Sequence, residues 1–206
     1  MDTIVLSQTM VTVAASAASF AIVGIITPGP NNFMLTLSGA RFGFRKTIPH
    51  LLGIQVGFSG LILLLALGLS QVFLAYPTVQ TVMRYVGAGY MVYLAGIIFV
   101  GDFSANNNGK ARPLTFYEAM LFQFINPKAW VLGIAAISTF TLSGDQYWLS
   151  ALTVVTVFFI LCLPCICLWA LLGQGISHWL INDNAKLIFN LAMAALLIAS
   201  IYFVFV

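Results

Sequence analysis

Two short segments of the 206-residue chain carry residue types that can recognise a small molecule: Thr27-Pro28-Gly29-Pro30-Asn31-Asn32, and Gln123 followed by Asn126-Pro127-Lys128. A proline has no N–H, so it leaves the carbonyl four residues earlier without its helical partner. Pro28, Pro30 and Pro127 thereby free the carbonyls of Gly24, Ile26 and Gln123, which are acceptors for an ammonium group. A helix restarting at Pro30 exposes the amides of Asn31 and Asn32 at the positive end of its dipole, and those are donors for a carboxylate. Gly29 lets backbone or ligand approach closely. Lys128 adds one positive charge directly after Pro127. Recognition of both ends of a small zwitterion is the chemistry implied, with Thr27, Pro28, Gly29, Pro30, Asn31, Asn32, Gln123, Asn126, Pro127 and Lys128 as candidate binding residues. No catalytic residue is expected, because no Ser/His/Asp or metal constellation stands at workable spacing. His50 and His178, near span ends, lack a second ligand at metal spacing, so neither a metal nor another cofactor is expected.

The background that must position these residues is 61% hydrophobic and only 6% charged, the composition of an integral membrane protein surrounded by lipid. Uncharged runs cover Thr3 to Ala40, Thr47 to Met83, Tyr85 to Gly101, Ala129 to Gly144, Gln146 to Asn182 and Leu187 to Val206. They are continuous rather than alternating, so helices and not a β-barrel must satisfy the backbone. With roughly 20 apolar residues needed per crossing, they predict an all-α protein with six transmembrane helices, at about 10–41, 50–73, 82–100, 114–142, 147–172 and 187–206.

The net charge of +3 is spread along the chain and is no nucleic-acid footprint. Arg41, Arg45 and Lys46 follow the first span, Lys110 and Arg112 the third, and Lys186 the fifth, while Arg84 alone sits in an even-numbered loop. The positive-inside rule then places the odd loops in the cytoplasm and both termini outside. Asp2 stands where a secretory signal carries a cation, so no cleavage is expected.

The chain also predicts an internal repeat. Phe20–Asn32 aligns with Glu118–Trp130, setting Pro28 on Pro127 and Lys46 on Asp145. Residues 1–103 and 114–206 would then be two three-helix repeats, joined by the polar cytoplasmic linker 104–113. Three spans is an odd number, so the second repeat is inverted relative to the first, and helices 1 and 4 are broken at matching prolines. At ~1.5 Å per residue the breaks lie roughly 18 to 21 Å from the ends of their spans, near mid-depth. Ordinary proline kinks are the alternative reading.

At that depth Lys128 costs about 2.5 to 3.5 kcal/mol, with no Asp or Glu in the span interiors to pair with it, Glu118 lying near the cytoplasmic end of its span. An anionic ligand group, freed carbonyls or cavity water must stabilise it, unless the fourth span is shifted and Lys128 reaches an interface. Gln55 and Gln123 either line a pathway or join helices, and Gly39/Gly43 and Gly53/Gly57 have the spacing of close helix packing. Cys162, Cys165 and Cys167, in CLPCIC, raise the alternative of an intramembrane thiol–disulfide electron carrier. They share one apolar helix with no counterpart in the other half, which favours packing.

The combination of TPGPNN, GARFGFRKTIPHLLGIQVGF, VGAGYMVYLAGI and FQFINPKAW resembles the lysine exporter / homoserine and threonine resistance (LysE/RhtB) family of amino-acid exporters. The likeness covers essentially the whole chain and is strongest to the cysteine/O-acetylserine exporter branch. It implies a secondary transporter in the bacterial inner membrane, exporting small amino acids or their derivatives and driven by protons. It also implies that the family motifs fall on Thr27 to Asn31 and on Asn126, Pro127 and Lys128. Small-residue helix faces are compatible with a homo-oligomer.

Overall fold

A charge-free apolar chain closes its backbone hydrogen bonds within each segment. The computed structural model, which describes residues 3–69, 75, 77–100 and 112–205, contains helices and no strand among the described residues. In chain order these are α1 (Thr3–Ile26), α2 (Pro30–Phe42), α3 (Phe44–Leu64, extended by a π turn over Leu65–Leu69), α4 (Pro77–Val100), α5 (Phe116–Phe122), α6 (Pro127–Phe140), α7 (Tyr147–Ile176) and α8 (Asp183–Phe205). Short 3-10 turns cover Gly144–Gln146 and Ser177–Trp179.

Among the described residues, four stretches are long and apolar enough to cross a bilayer: Val5–Ile26, Phe44–Leu69, Gly144–Trp179 and Asp183–Tyr202. A fifth is formed if α5 and α6, bent by 61° at their break, count as one span. The expected third span falls in α4, a continuous 24-residue helix. The first stretch differs most from the expectation of 10–41. Its helix starts by Thr3, stops at Ile26 and restarts as α2, because Pro28 and Pro30 cannot donate to the preceding turn. The second starts at Phe44 rather than near residue 50, since Gly43, with φ +80°, ends α2 and turns the chain straight into α3. Most of the expected linker, residues 104–111, lies outside the described residues.

The 30-residue α7 is the backbone of the assembly and packs along α1, α2 and α3. Its approach to α2 is so close that a Cβ on Gly39 would fall on the Ala170 carbonyl, and one on Gly173 on the Thr36 carbonyl. A second close seam joins α3 to α5, where Gly53 and Gly57 face the carbonyls of Phe116 and Met120. Phe158 of α7 links α1 and α3, meeting Phe20 at 6.5 Å and Phe58 at 5.9 Å between ring centroids. Helices α4 and α8 pack on each other and close a smaller core with Met34 and Leu37 of α2. Outside this packing the surface is inverted relative to a soluble protein, with Val23, Ile160 and Ile188 all more than 60% exposed.

Candidate functional site

Both interruptions are built from local hydrogen-bond chemistry. At the first, Gly29 is the residue before α2 and offers no side-chain cap. Asn32, 3% exposed, turns its side chain back, and its Nδ2 donates to the carbonyls of Ile25 and Thr27, each at 2.9 Å. The Thr27 hydroxyl returns to the Val23 carbonyl at 2.5 Å. The gap is therefore held open by its own side chains. At the second, Asn126 caps α6 by accepting from the Lys128 amide at 3.2 Å, and Trp130 Nε1 donates to the Phe124 carbonyl at 2.9 Å.

The two interruptions touch. Asn31 Nδ2 donates to Gln123 Oε1 at 2.8 Å, and Gln123 Nε2 donates back to Asn31 Oδ1 at 3.2 Å. Gln123 Nε2 also reaches the Ala119 carbonyl at 2.9 Å. Lys128 Nζ crosses to the other side of the junction, donating to the carbonyls of Thr27 and of Pro28, the latter at 3.3 Å. Gly29 leaves the space its stem needs, because a Cβ there would come within 2.6 Å of Lys128 Cδ. The half-buried Lys128 ammonium is thus satisfied by carbonyls at the end of α1.

The electrostatics follow from which helix ends meet. The amino-terminal, positive ends of α2 and α6 begin here, and so does the Lys128 charge. The carboxyl-terminal, negative ends of α1 and α5 stop here as well. One junction therefore presents both signs of partial charge, while the helix shafts around it are apolar.

Cavities flank it on two sides. One of about 40 Å³, room for about three waters, is lined by Asn31, Asn126 and Lys128 and by the apolar Ile54, Phe58, Leu132, Cys162 and Ile166. The other, about 360 Å³, runs along Thr27, Pro28, Pro30 and Pro127 toward Met91 of α4 and Ser200 of α8. Gly29 and Lys128 line both.

All ten candidate residues lie at this junction, in three different roles. Thr27, Pro28, Gly29, Pro30, Asn31, Asn126, Pro127 and Lys128 border a cavity. Asn32 borders the smaller one, but its side-chain amide is spent on backbone carbonyls. Gln123 is fully buried and its side chain is engaged by Asn31. The acceptors in use are Ile25, Thr27 and Pro28, whereas Gly24, Ile26 and Gln123 were expected from the proline spacing. Each helix that follows an interruption begins on a proline, Pro30 for α2 and Pro127 for α6. Sequence reasoning missed Phe58, Leu132, Met91 and Ser200, which lie outside the two proline motifs and carry no local signal.

The remaining candidates fall elsewhere. Gln55 Nε2 donates to the Phe159 carbonyl at 2.6 Å, tying α3 to α7. Cys162, Cys165 and Cys167 are free thiols on α7, the first two buried.

Comparison with known proteins adds to this geometry. Residues 22–204 match the family model described as LysE type translocator. The chain is 32% identical over 128 residues to the cysteine/O-acetylserine efflux protein of Salmonella choleraesuis strain SC-B67, covering 62% of this chain and 65% of that one. It is 30% identical over 183 residues to the cysteine/O-acetylserine efflux protein of Escherichia coli O139:H28, covering 87% and 91%. The protein of that name in strain K12 is 31% identical over 129 residues, covering 62% and 65%. The chain thus spans about two thirds of the length of some of these relatives and nearly all of another. No solved structure matches.

Proposed function

Because the chain belongs to the LysE type translocator family, we propose that it is a proton-coupled secondary transporter that exports small amino acids or derivatives such as cysteine and O-acetylserine. The relatives named for efflux of those two compounds support the substrate class. In this reading six spans form two inverted three-helix repeats, residues 1–103 and 114–206, in the bacterial inner membrane with both termini periplasmic. The broken pairs α1/α2 and α5/α6 are the first helix of each repeat.

The observation that carries the proposal is the meeting of the interruptions. Lys128 of the second grips the Thr27 and Pro28 carbonyls of the first, and Gln123 exchanges hydrogen bonds with Asn31. A bound zwitterion replaces one set of partners by another. Its carboxylate is drawn by the positive ends of α2 and α6 and by Lys128, which turns toward it. Its ammonium takes the Thr27 and Pro28 carbonyls that Lys128 gives up. A small side chain extends into the apolar cavity beside Phe58, Leu132 and Cys162. Because the site bridges both halves, rocking one against the other exposes it to each side of the membrane in turn.

The test is counterflow in proteoliposomes with a panel of amino acids including cysteine, O-acetylserine, homoserine and threonine. Exchange of at least one small zwitterion supports the reading, and its absence across the panel removes it.

A further inference from the structure

We propose that His50 is the proton-binding group of the cycle, a reading that rests on the proton-coupled transport proposed above. His50 stands in the membrane-spanning α3 with no exposed surface, and neither Nδ1 nor Nε2 meets a hydrogen-bond partner among the described residues. A neutral imidazole carries one donor and one acceptor, and buried polar groups of this kind are nearly always paired. An apolar ring would fill the space without leaving two polar atoms unsatisfied. An ionisable residue kept inside a membrane span at such cost marks a site of function.

Its surroundings say what that function is. His50, Gly53 and Gly57 lie on one face of α3 at helical spacing, and the two glycines are where α3 meets the α5 backbone. On α5, Glu118 acts electrostatically on His50. That carboxylate is held by Arg112 through two contacts of 2.7 Å and is 42% exposed, so it borders the solvent. The other charged or titratable groups on helices packed against α3 are Arg41 of α2, Tyr117 of α5, Lys128 of α6, and Tyr147 and the three cysteines of α7; Arg45 and Lys46 stand in the first turn of α3 itself. Among the described residues, Glu118 is the one carboxylate on these helices, and it stands beside Ala119, which a Cβ on Gly53 would meet at 2.8 Å.

The link to transport is α5. It is a seven-residue helix that leads directly into Gln123 and the second interruption, with a 61° bend before α6. When the α3–α5 seam opens, water reaches the imidazole, its free ring nitrogen accepts one proton, and Glu118 pairs with the imidazolium. The paired imidazolium persists while the halves rock, and the seam recloses around a neutral ring only after the proton has left to water on the opposite side, because a buried unpaired charge is not tolerated. Proton occupancy thereby biases the position of α5, and with it the Gln123–Asn31 contact at the junction.

The decisive comparison is between accumulation of O-acetylserine driven by an imposed pH gradient and O-acetylserine counterflow, an exchange with no net proton movement. In His50→Gln the ratio of gradient-driven accumulation to counterflow falls by about tenfold or more and the pH dependence of net transport flattens. A ratio and a pH profile like those of the wild type overturn the proposal. Should His50→Gln not fold, Glu118→Gln gives the decision, since glutamine keeps the cap on α5 and leaves His50 in place. It moves the midpoint of the pH profile to lower values by removing the carboxylate that favours the imidazolium, and an unmoved midpoint overturns the proposal. Absence of wild-type counterflow is a separate failure, that of the transport reading itself.

Discussion

Asn31 and Gln123, 92 residues apart in sequence, exchange side-chain hydrogen bonds at 2.8 and 3.2 Å. Neither amide has a charge, yet the pair fastens the start of α2 to the end of α5 at the level where both helices are interrupted. A reciprocal amide pair is demanding, because each partner fixes the orientation of the other, and removing one leaves a buried donor and acceptor unmade.

Truncation of either side therefore lowers stability by about 1 to 3 kcal/mol, and the double substitution Asn31→Ala/Gln123→Ala costs less than the sum of the two. Thermal unfolding in detergent, run as a double-mutant cycle, measures the coupling. Strictly additive losses would show that the contact contributes nothing of its own.

The same pair offers a direct geometric check. In a background with Cys162, Cys165 and Cys167 replaced by serine, Asn31→Cys with Gln123→Cys places two thiols across the junction. A short, reductant-cleavable bis-thiol reagent is expected to cross-link them and to arrest the counterflow that the free-thiol variant retains, and reductant to reverse both.

The glycine contacts between α2 and α7 have no slack. A Cβ at Gly173 would stand within 2.7 Å of the carbonyl carbon of Thr36, and backbone cannot move aside as a side chain can. Gly173→Ala is expected to cost about 1 to 3 kcal/mol, and Gly173→Val more. Gly175, which has nothing within 4 Å of an added Cβ, serves as the control, with Gly175→Ala close to neutral in the same unfolding assay.

Much of the helical class was legible because charged residues punctuate long apolar runs, and the family resemblance was legible in TPGPNN and FQFINPKAW. The prolines announce where backbone donors are missing, but they do not say which side chains step in. Asn32 folding back onto Ile25 and Thr27, and Gln123 choosing Asn31 over a ligand, are decisions of tertiary packing. Apolar cavity walls such as Leu132 and Met91 look like any lipid-facing residue until the neighbouring helix is placed. His50, four residues after Lys46, reads as a residue at a helix end, and only the packing of α5 shows it to be enclosed.

The cysteines separate transport from electron transfer. Cys165→Ser, which breaks the CxxC pair without touching the cavity wall at Cys162, is expected to leave counterflow within about twofold of wild type, with no response to reductant, because burying a small thiol is a packing role that serine largely fills. A redox-dependent loss would point to the thiol–disulfide reading instead.

The central claim is that a zwitterion binds where Lys128 meets the end of α1, and counterflow by Lys128→Ala and Pro28→Ala tests it most directly. With correctly folded protein in equal amounts, both variants are predicted to lose roughly tenfold or more in exchange rate, the loss expected when a charge-assisted contact to the substrate is removed. Counterflow preserved at wild-type rates in both would contradict the assignment of the site.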